Sequence, residues 1–192
     1  FLYLSRKNIP MPETITSPLL YPAFDDTDGL FADSVEKRLG YPMVVKEAYG
    51  SFGAQVYLAK NRSELDALRN RLKYMPHLYQ RYVKNSSGED IRIIVVGGKA
   101  VAAMKRKNKG DFRANIELGG VGEKYIPSSE QVELSERICR LLGADYIGVD
   151  LLFDKDKTLL CEVNTNAHFM FISDCTGVDV AELYIGHVME EI

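Results

Sequence analysis

Residues 145–164 read DYIGVDLLFDKDKTLLCEVN, two apolar runs joined by a charged turn, each run carrying one carboxylate inside it. Successive side chains on a strand alternate between faces. In the first run Ile147, Val149, Leu151 and Phe153 line one face, and Asp150 lies on the other beside Gly148. In the second, Leu159, Cys161 and Val163 share an apolar face while Leu160, Glu162 and Asn164 share the opposite one. An unpaired carboxylate taken out of water costs several kcal/mol or picks up a proton, so both acids need a cation, a donor or open solvent in front of them. If residue 154 pairs with 158 around a three-residue loop, Asp150 faces Glu162, whereas a one-residue slip turns them to opposite faces. In the first register two carboxylates and the Asn164 amide oxygen converge as a hard-oxygen set suited to magnesium. The alternative, of equal weight on these residues alone, is a pair of salt-bridged strand carboxylates.

The rest of the chain has ordinary globular composition: 192 residues, 46% hydrophobic and 27% charged, with a net charge of −3. That balance gives no global field for nucleic acid or an anionic membrane. Three cysteines without a CxxC spacing and three dispersed histidines support neither a disulfide framework nor a zinc site. No run of eighteen apolar residues and no signal-peptide pattern appears, so the expected compartment is the cytoplasm.

FLYLSRKNIPMP at the start reads as the end of a helix entering a Pro-bracketed link, so residues 1–21 are expected to be the remnant and linker of a preceding domain. An α+β lobe is expected over 22–82. It comprises a helix closing on Gly40, a hairpin over YPMVVKEAYGSFGAQVYLA, a helix over 64–74 capped by Ser63, and a strand at HLYQRYVK. A second lobe, 83–192, begins with the hairpin EDIRIIVV-GG-KAVAAMKRK. A glycine-bearing loop follows at 108–127, long enough to be a functional candidate. A helix with a Ser128 to Gln131 capping box leads to the carboxylate hairpin and a closing helix capped by Asp179.

Lys46 ends an apolar strand and the turn AYGSFGA follows, so Gly50, Ser51, Phe52 and Gly53 can crowd backbone N–H groups around phosphate oxygens near an ammonium. The pattern is loose, and a plain glycine hairpin beside an exposed lysine fits it as well. It is not a Walker loop, since the lysine precedes the glycines and no GK[ST] occurs. In the long loop, Arg113 can offer a planar fork to phosphate or to a reacting carboxylate, with Asn115 nearby. Asp90 shares a strand face with Arg92, and Met104 with Arg106. His168, beside Phe169, Met170 and Phe171, is expected to be a packed structural residue.

Taken in order, YPMVVKEAYGSFG, YQRYVKNSSGEDIRIIVVGGKAVAAMKR, GDFRANIELGG, GADYIGVDLLF and CEVNTNAHF resemble the ATP-grasp fold, most closely its RimK-like branch of carboxylate–amine ligases. The resemblance implies an α+β ATP-grasp fold, two lobes with antiparallel sheets gripping ATP, normally preceded by a pre-grasp domain. It implies an ATP- and magnesium-dependent (or manganese-dependent) ligase that makes an amide through an acyl phosphate, with amino-acid or glutamate ligation as the candidate reaction. Its partners would be a carboxylate and an amine acceptor, with no nucleic acid or membrane involved and self-association left open. Lys46 and the turn from Gly50 to Gly53 match the phosphate contacts, Gln80, Arg81, Tyr82 and Val83 the adenine hinge, and Asp90 the ribose position. Arg113, Ala114 and Asn115 match the triplet at the nucleotide, with Arg113 as the catalytic residue, and Asp150, Glu162 and Asn164 match the metal ligands. The sequence departs from the family at Arg81, where an acid is usual, and at TNAH after Asn164. The alternative is an ATP-binding regulatory or scaffolding module of the same fold without ligase turnover.

Overall fold

The computed structural model describes residues 1–21 and 29–192. Residues 22–28, with which the first lobe was expected to begin, lie outside the described residues. The chain forms two compact units, Pro12–Tyr82 and a second made of Phe1–Met11 together with Val83–Ile192.

In the first unit, β1 (Thr14–Thr16), β2 (Met43–Glu47), β3 (Val56–Ala59) and β4 (His77–Arg81) form an antiparallel sheet in the order β1-β4-β2-β3. Two helices, Leu30–Leu39 and Arg62–Leu72, contribute Ala32, Val35, Leu39, Leu65 and Leu72 to a core with Met43, Val45, Ala59 and Tyr79. The first closes on Gly40 at φ 67, a conformation that a residue without Cβ adopts at no steric cost. The second is capped by Asn61, not Ser63: the Asn61 side chain accepts from the Glu64 N–H at 3.0 Å. Both residue types cap well, and here the helix starts two residues earlier than its apolar spacing suggests.

The second unit is a five-stranded antiparallel sheet of β5 (Glu89–Val96), β6 (Lys99–Lys107), β7 (Val121–Lys124), β8 (Tyr146–Asp154) and β9 (Lys157–Asn164), in the order β7-β6-β5-β8-β9. Part of the expected long loop is therefore the edge strand β7. One face carries Ile91, Ile93, Val95, Ile147, Val149, Leu151 and Leu160, packed against Leu134, Ile138 and Cys139 of the helix Ser129–Leu142. Burying each such aliphatic side chain is worth roughly 1.5–3 kcal/mol. That helix has the full capping box of Ser128 and Gln131 and ends on Gly143. The opposite face is apolar where Ile94, Val96, Ala102 and Met104 meet the helices Met170–Thr176 and Val180–Glu190, and it becomes charged from Arg92 and Arg106 onward.

Part of residues 1–21 is packed into the two units. Leu4 and Ile9 are buried in the core of the second unit, the Pro10 carbonyl accepts from the Leu160 N–H at 2.8 Å, and Thr14–Thr16 pairs with β4. The apolar residues find a core and the β-branched ones a sheet edge, which outweighs the entropy that proline-bounded segments otherwise keep.

Candidate active site

The β8–β9 hairpin brings the two acids together by a route different from the expected one. Asp154 pairs with Lys157, so the loop has two residues, Lys155 and Asp156, and the register is slipped by one at the turn. A bulge then restores it: Leu151 pairs with Leu160, and Asp150 pairs with Glu162, leaving Cys161 as the extra residue. Leu160, assigned to the acidic face by simple alternation, instead lies in the core opposite Leu151, and Val163 packs there too. The larger apolar side chain displaces Cys161 from the core, which is the physical reason for the slip.

Gly148 pairs with Asn164 two ladder steps from Asp150 and Glu162, the next position on the same face. A Cβ on Gly148 would sit 2.5 Å from Ala167 Cβ, so glycine here lets the segment after Asn164 close down on β8. The Asn164 amide oxygen accepts from the Asn166 N–H at 2.8 Å. Glu162 is exposed, whereas Asp150 is 2% exposed.

Asp150 belongs to a buried network with charged residues of two other strands. Arg92, its partner on β5, donates from Nε and from a terminal nitrogen to the two Asp150 oxygens, each at 2.7 Å. Arg106 on β6 donates to Asp150 Oδ2 at 2.7 Å and forks onto Asp90 at 2.6 and 2.5 Å. Burial pushes both carboxyls up. At Asp150 the Arg106 and Arg92 guanidinium groups overcome burial and hold it well below the usual carboxylate range; at Asp90, paired chiefly with Arg106, burial prevails and the carboxyl is raised. The salt-bridge alternative thus applies to Asp150, although its partners are arginines on other strands. The signal was the pairing of charge with strand alternation: 90 and 92 on one strand, 104 and 106 on the next.

The donors on this hairpin suit a hard cation: two carboxylates and an amide oxygen at neighbouring ladder positions, one of the acids kept ionised. Among the described residues no cluster of three His, Cys, Asp or Glu side chains forms a metal site, so the set depends on an amide for its third donor.

Arg113 lies in the same unit, in a loop anchored by Asn108, whose side chain accepts from the Gly110 and Asp111 N–H groups and donates to the Leu118 carbonyl. Asp111 takes both arms of Arg113, at 2.9 and 2.7 Å, and its backbone N–H at 2.9 Å. Ala114 is buried, and the Asn115 carbonyl accepts from Gly120, where a Cβ would meet Ala114 O at 2.4 Å. His168 is exposed, as are Met170 and Phe171, so the expected packing role does not hold; the apolar contacts of this segment with the core are made by Ala167, Phe169 and Ile172.

In the first unit Lys46 is half-buried on β2, between Val56 and Leu78. The turn after it is closed by Gln55, whose Oε1 accepts from the Ser51 N–H at 3.1 Å and would lie 2.5 Å from a Cβ on Gly50. Phe52 and Gly53 both have positive φ, and Phe52 is exposed. Gln80 donates to Thr14 Oγ1 at 2.9 Å. Arg81 pairs with Glu13 and donates to the Arg38 carbonyl, and its own N–H goes to the Glu13 carbonyl. Tyr82 ends this unit, half-buried, and the buried Val83 begins the other.

The family model for the RimK-like ATP-grasp domain matches residues 3–188, and the chain belongs to that family. It is 34% identical to a beta-citrylglutamate synthase B of Danio rerio and 33% identical to the human N-acetylaspartylglutamate synthase A, each over 98% of the chain. The chain spans about half the length of these curated relatives, 46% and 48% respectively. A RimK domain ATP-grasp protein of Sphaerobacter thermophilus superposes with a TM-score of 0.72 at 22% identity, covering 97% of this chain and 64% of that one. Among the described residues no helix is long and apolar enough to cross a membrane.

Proposed function

We propose that this RimK-like ATP-grasp chain is the nucleotide-handling part of a ligase that uses ATP to join a carboxylate to the amine of glutamate or a related amino acid. The observation that carries the reading is the alignment of hard oxygen donors on adjacent strands, Asp150 paired with Glu162 and Asn164 two residues further along the strand of Glu162. Glutamate is favoured because both relatives are named for compounds that contain it.

In the proposed reaction the γ-phosphoryl passes from ATP to a carboxylate oxygen, releasing ADP. The amine lone pair then attacks the acyl carbon, phosphate leaves, and the nitrogen loses a proton. Little covalent work falls to the protein, so its residues act by position and charge. Arg113 offers its fork to the transferring phosphoryl group, with Ala114 and Asn115 holding the loop beside it. Asp150, Glu162 and Asn164 would hold magnesium or manganese, which when bound supplies charge neutralisation at phosphate oxygens. In the first unit Lys46 and the N–H groups of Gly50 to Gly53 are assigned to phosphate. Gln80 to Val83 are assigned to adenine by backbone groups, and Asp90 to the ribose through lone pairs that Arg106 leaves open.

Full-length protein supplied with ATP, magnesium, glutamate and either citrate or N-acetylaspartate should release ADP and yield an amide of matching mass. Nucleotide binding without ADP release dependent on both substrates, across a screen of carboxylates and amines, would overturn the ligase reading in favour of a regulatory module.

A further inference from the structure

We infer that Arg106 is a positioning residue for the cation site: from β6 it saturates one oxygen of Asp150, so that the carboxylate presents the other to a metal ion, and Asp90 holds Arg106 in place. The inference rests on the metal reading proposed above and extends it to residues that do not touch the ion.

The lone pairs of Asp150 can be counted. An ionised carboxylate has about four acceptor positions, two on each oxygen. Asp150 Oδ2 accepts from Arg92 and from Arg106, both at 2.7 Å, which fills its two. Asp150 Oδ1 accepts from Arg92 Nε at 2.7 Å, which leaves one. The group therefore offers a cation a single oxygen in a single direction. Without Arg106, Oδ2 regains a free position and only the Arg92 fork orients the carboxylate.

The placement of Arg106 suits this role better than a general stabilising one. It is 2% exposed, on the face that leads from Met104 and Ala102 into the charged cluster. Burying two arginines and two aspartates together brings desolvation costs that apolar residues of similar volume avoid, so such a network is weak evidence of stabilisation. What it does supply is orientation. Asp90 and Arg106 are register partners and fork to each other, which fixes the guanidinium plane before it reaches Asp150. Lysine at 106 would keep the charge but lose the planar fork that serves both acids.

The test uses full-length protein and Mn2+ binding read by electron paramagnetic resonance, with a non-hydrolysable ATP analogue present. Residues that orient metal ligands typically change affinity by about 10- to 100-fold when replaced, and R106K is expected to weaken Mn2+ within that range. Analogue affinity without metal should stay near wild type, a separation that general loss of structure would not produce. D90N, which leaves the Arg92 pair intact, should weaken Mn2+ in the same direction by less. If R106K keeps its melting temperature and binds Mn2+ like wild type, the inference is overturned. If R106K does not fold, D90N decides with Mn2+ titrated in the absence of the analogue, because Asp90 is also assigned to the ribose, and unchanged Mn2+ affinity in D90N overturns it. Wild-type protein that binds the analogue but no Mn2+ would instead overturn the metal reading beneath it.

Discussion

Leu160 pairs with Leu151 and Glu162 with Asp150, so three residues of β9 span two of β8. The register at the turn and the register at the acids are thus set separately, and the core decides the first. Leu160 is 4% exposed and Cys161 is half-buried on the bulge. Leu160→Ala is expected to cost about 2–4 kcal/mol of stability and Cys161→Ala under about 1 kcal/mol, measured by denaturant unfolding. Under an unbulged hairpin with a three-residue loop the order would be reversed.

Glu162→Gln keeps the shape of the side chain and removes its charge. Magnesium dependence of ADP formation by the full-length protein should shift to at least about tenfold higher metal concentration, as expected when an anionic ligand becomes neutral. A wild-type magnesium titration for this variant would remove Glu162 from the site.

Arg113 is held by Asp111, and that pairing keeps the Asp111 carboxyl below its usual range. An arginine serving charge that develops during transfer matters more for turnover than for ground-state binding. Arg113→Ala should lower kcat by about 10²-fold while ATP affinity changes by less than about threefold. Equal losses in both would assign Arg113 to binding.

His77 supplies a pH dependence. Its Nδ1 lies 2.7 Å from the Met75 carbonyl, which can only accept, so Nδ1 carries the proton and Nε2 accepts from the Tyr79 hydroxyl at 2.7 Å. Burial lowers the His77 pKa from 6.5, against the Met75 hydrogen bond. Between the folded value and 6.5 the unfolded chain binds more protons, so this contribution is complete above 6.5 and is lost as pH falls. The melting temperature should therefore drop from about pH 7 to about pH 5, more steeply than in His77→Phe. Parallel curves for the two proteins would show that His77 does not titrate in this way.

Much of the fold was legible because its local signals agreed. The Ser128 capping box, the Gly40 and Gly143 helix ends and the hairpin around Gly97 and Gly98 each appear at their expected places. The β8–β9 turn misled because two-residue loops usually advertise themselves with Asn-Gly, whereas here Lys155 takes φ 56 without a glycine. Arg92 and Arg106 were visible as charges on strands, but their shared partner Asp150 lies 58 and 44 residues away, a distance that no local pattern spans. The packing of Leu4 and Ile9 was not legible because their partners are likewise remote. Leu4 and Ile9 look like linker residues until the core that receives them is known.

That remoteness has a consequence for biosynthesis. The Pro10 carbonyl waits for the Leu160 N–H, so about 150 residues must leave the ribosome before the segment holding Leu4 and Ile9 has its binding surface. During that interval the first unit can pair its strands, while the second has two of its core side chains, Leu4 and Ile9, about 80 residues or more before the strands that receive them. Its core is closed last by residues translated before it. Until the strand carrying Leu160 is made, Leu4 and Ile9 lack part of the apolar surface that covers them in the folded unit.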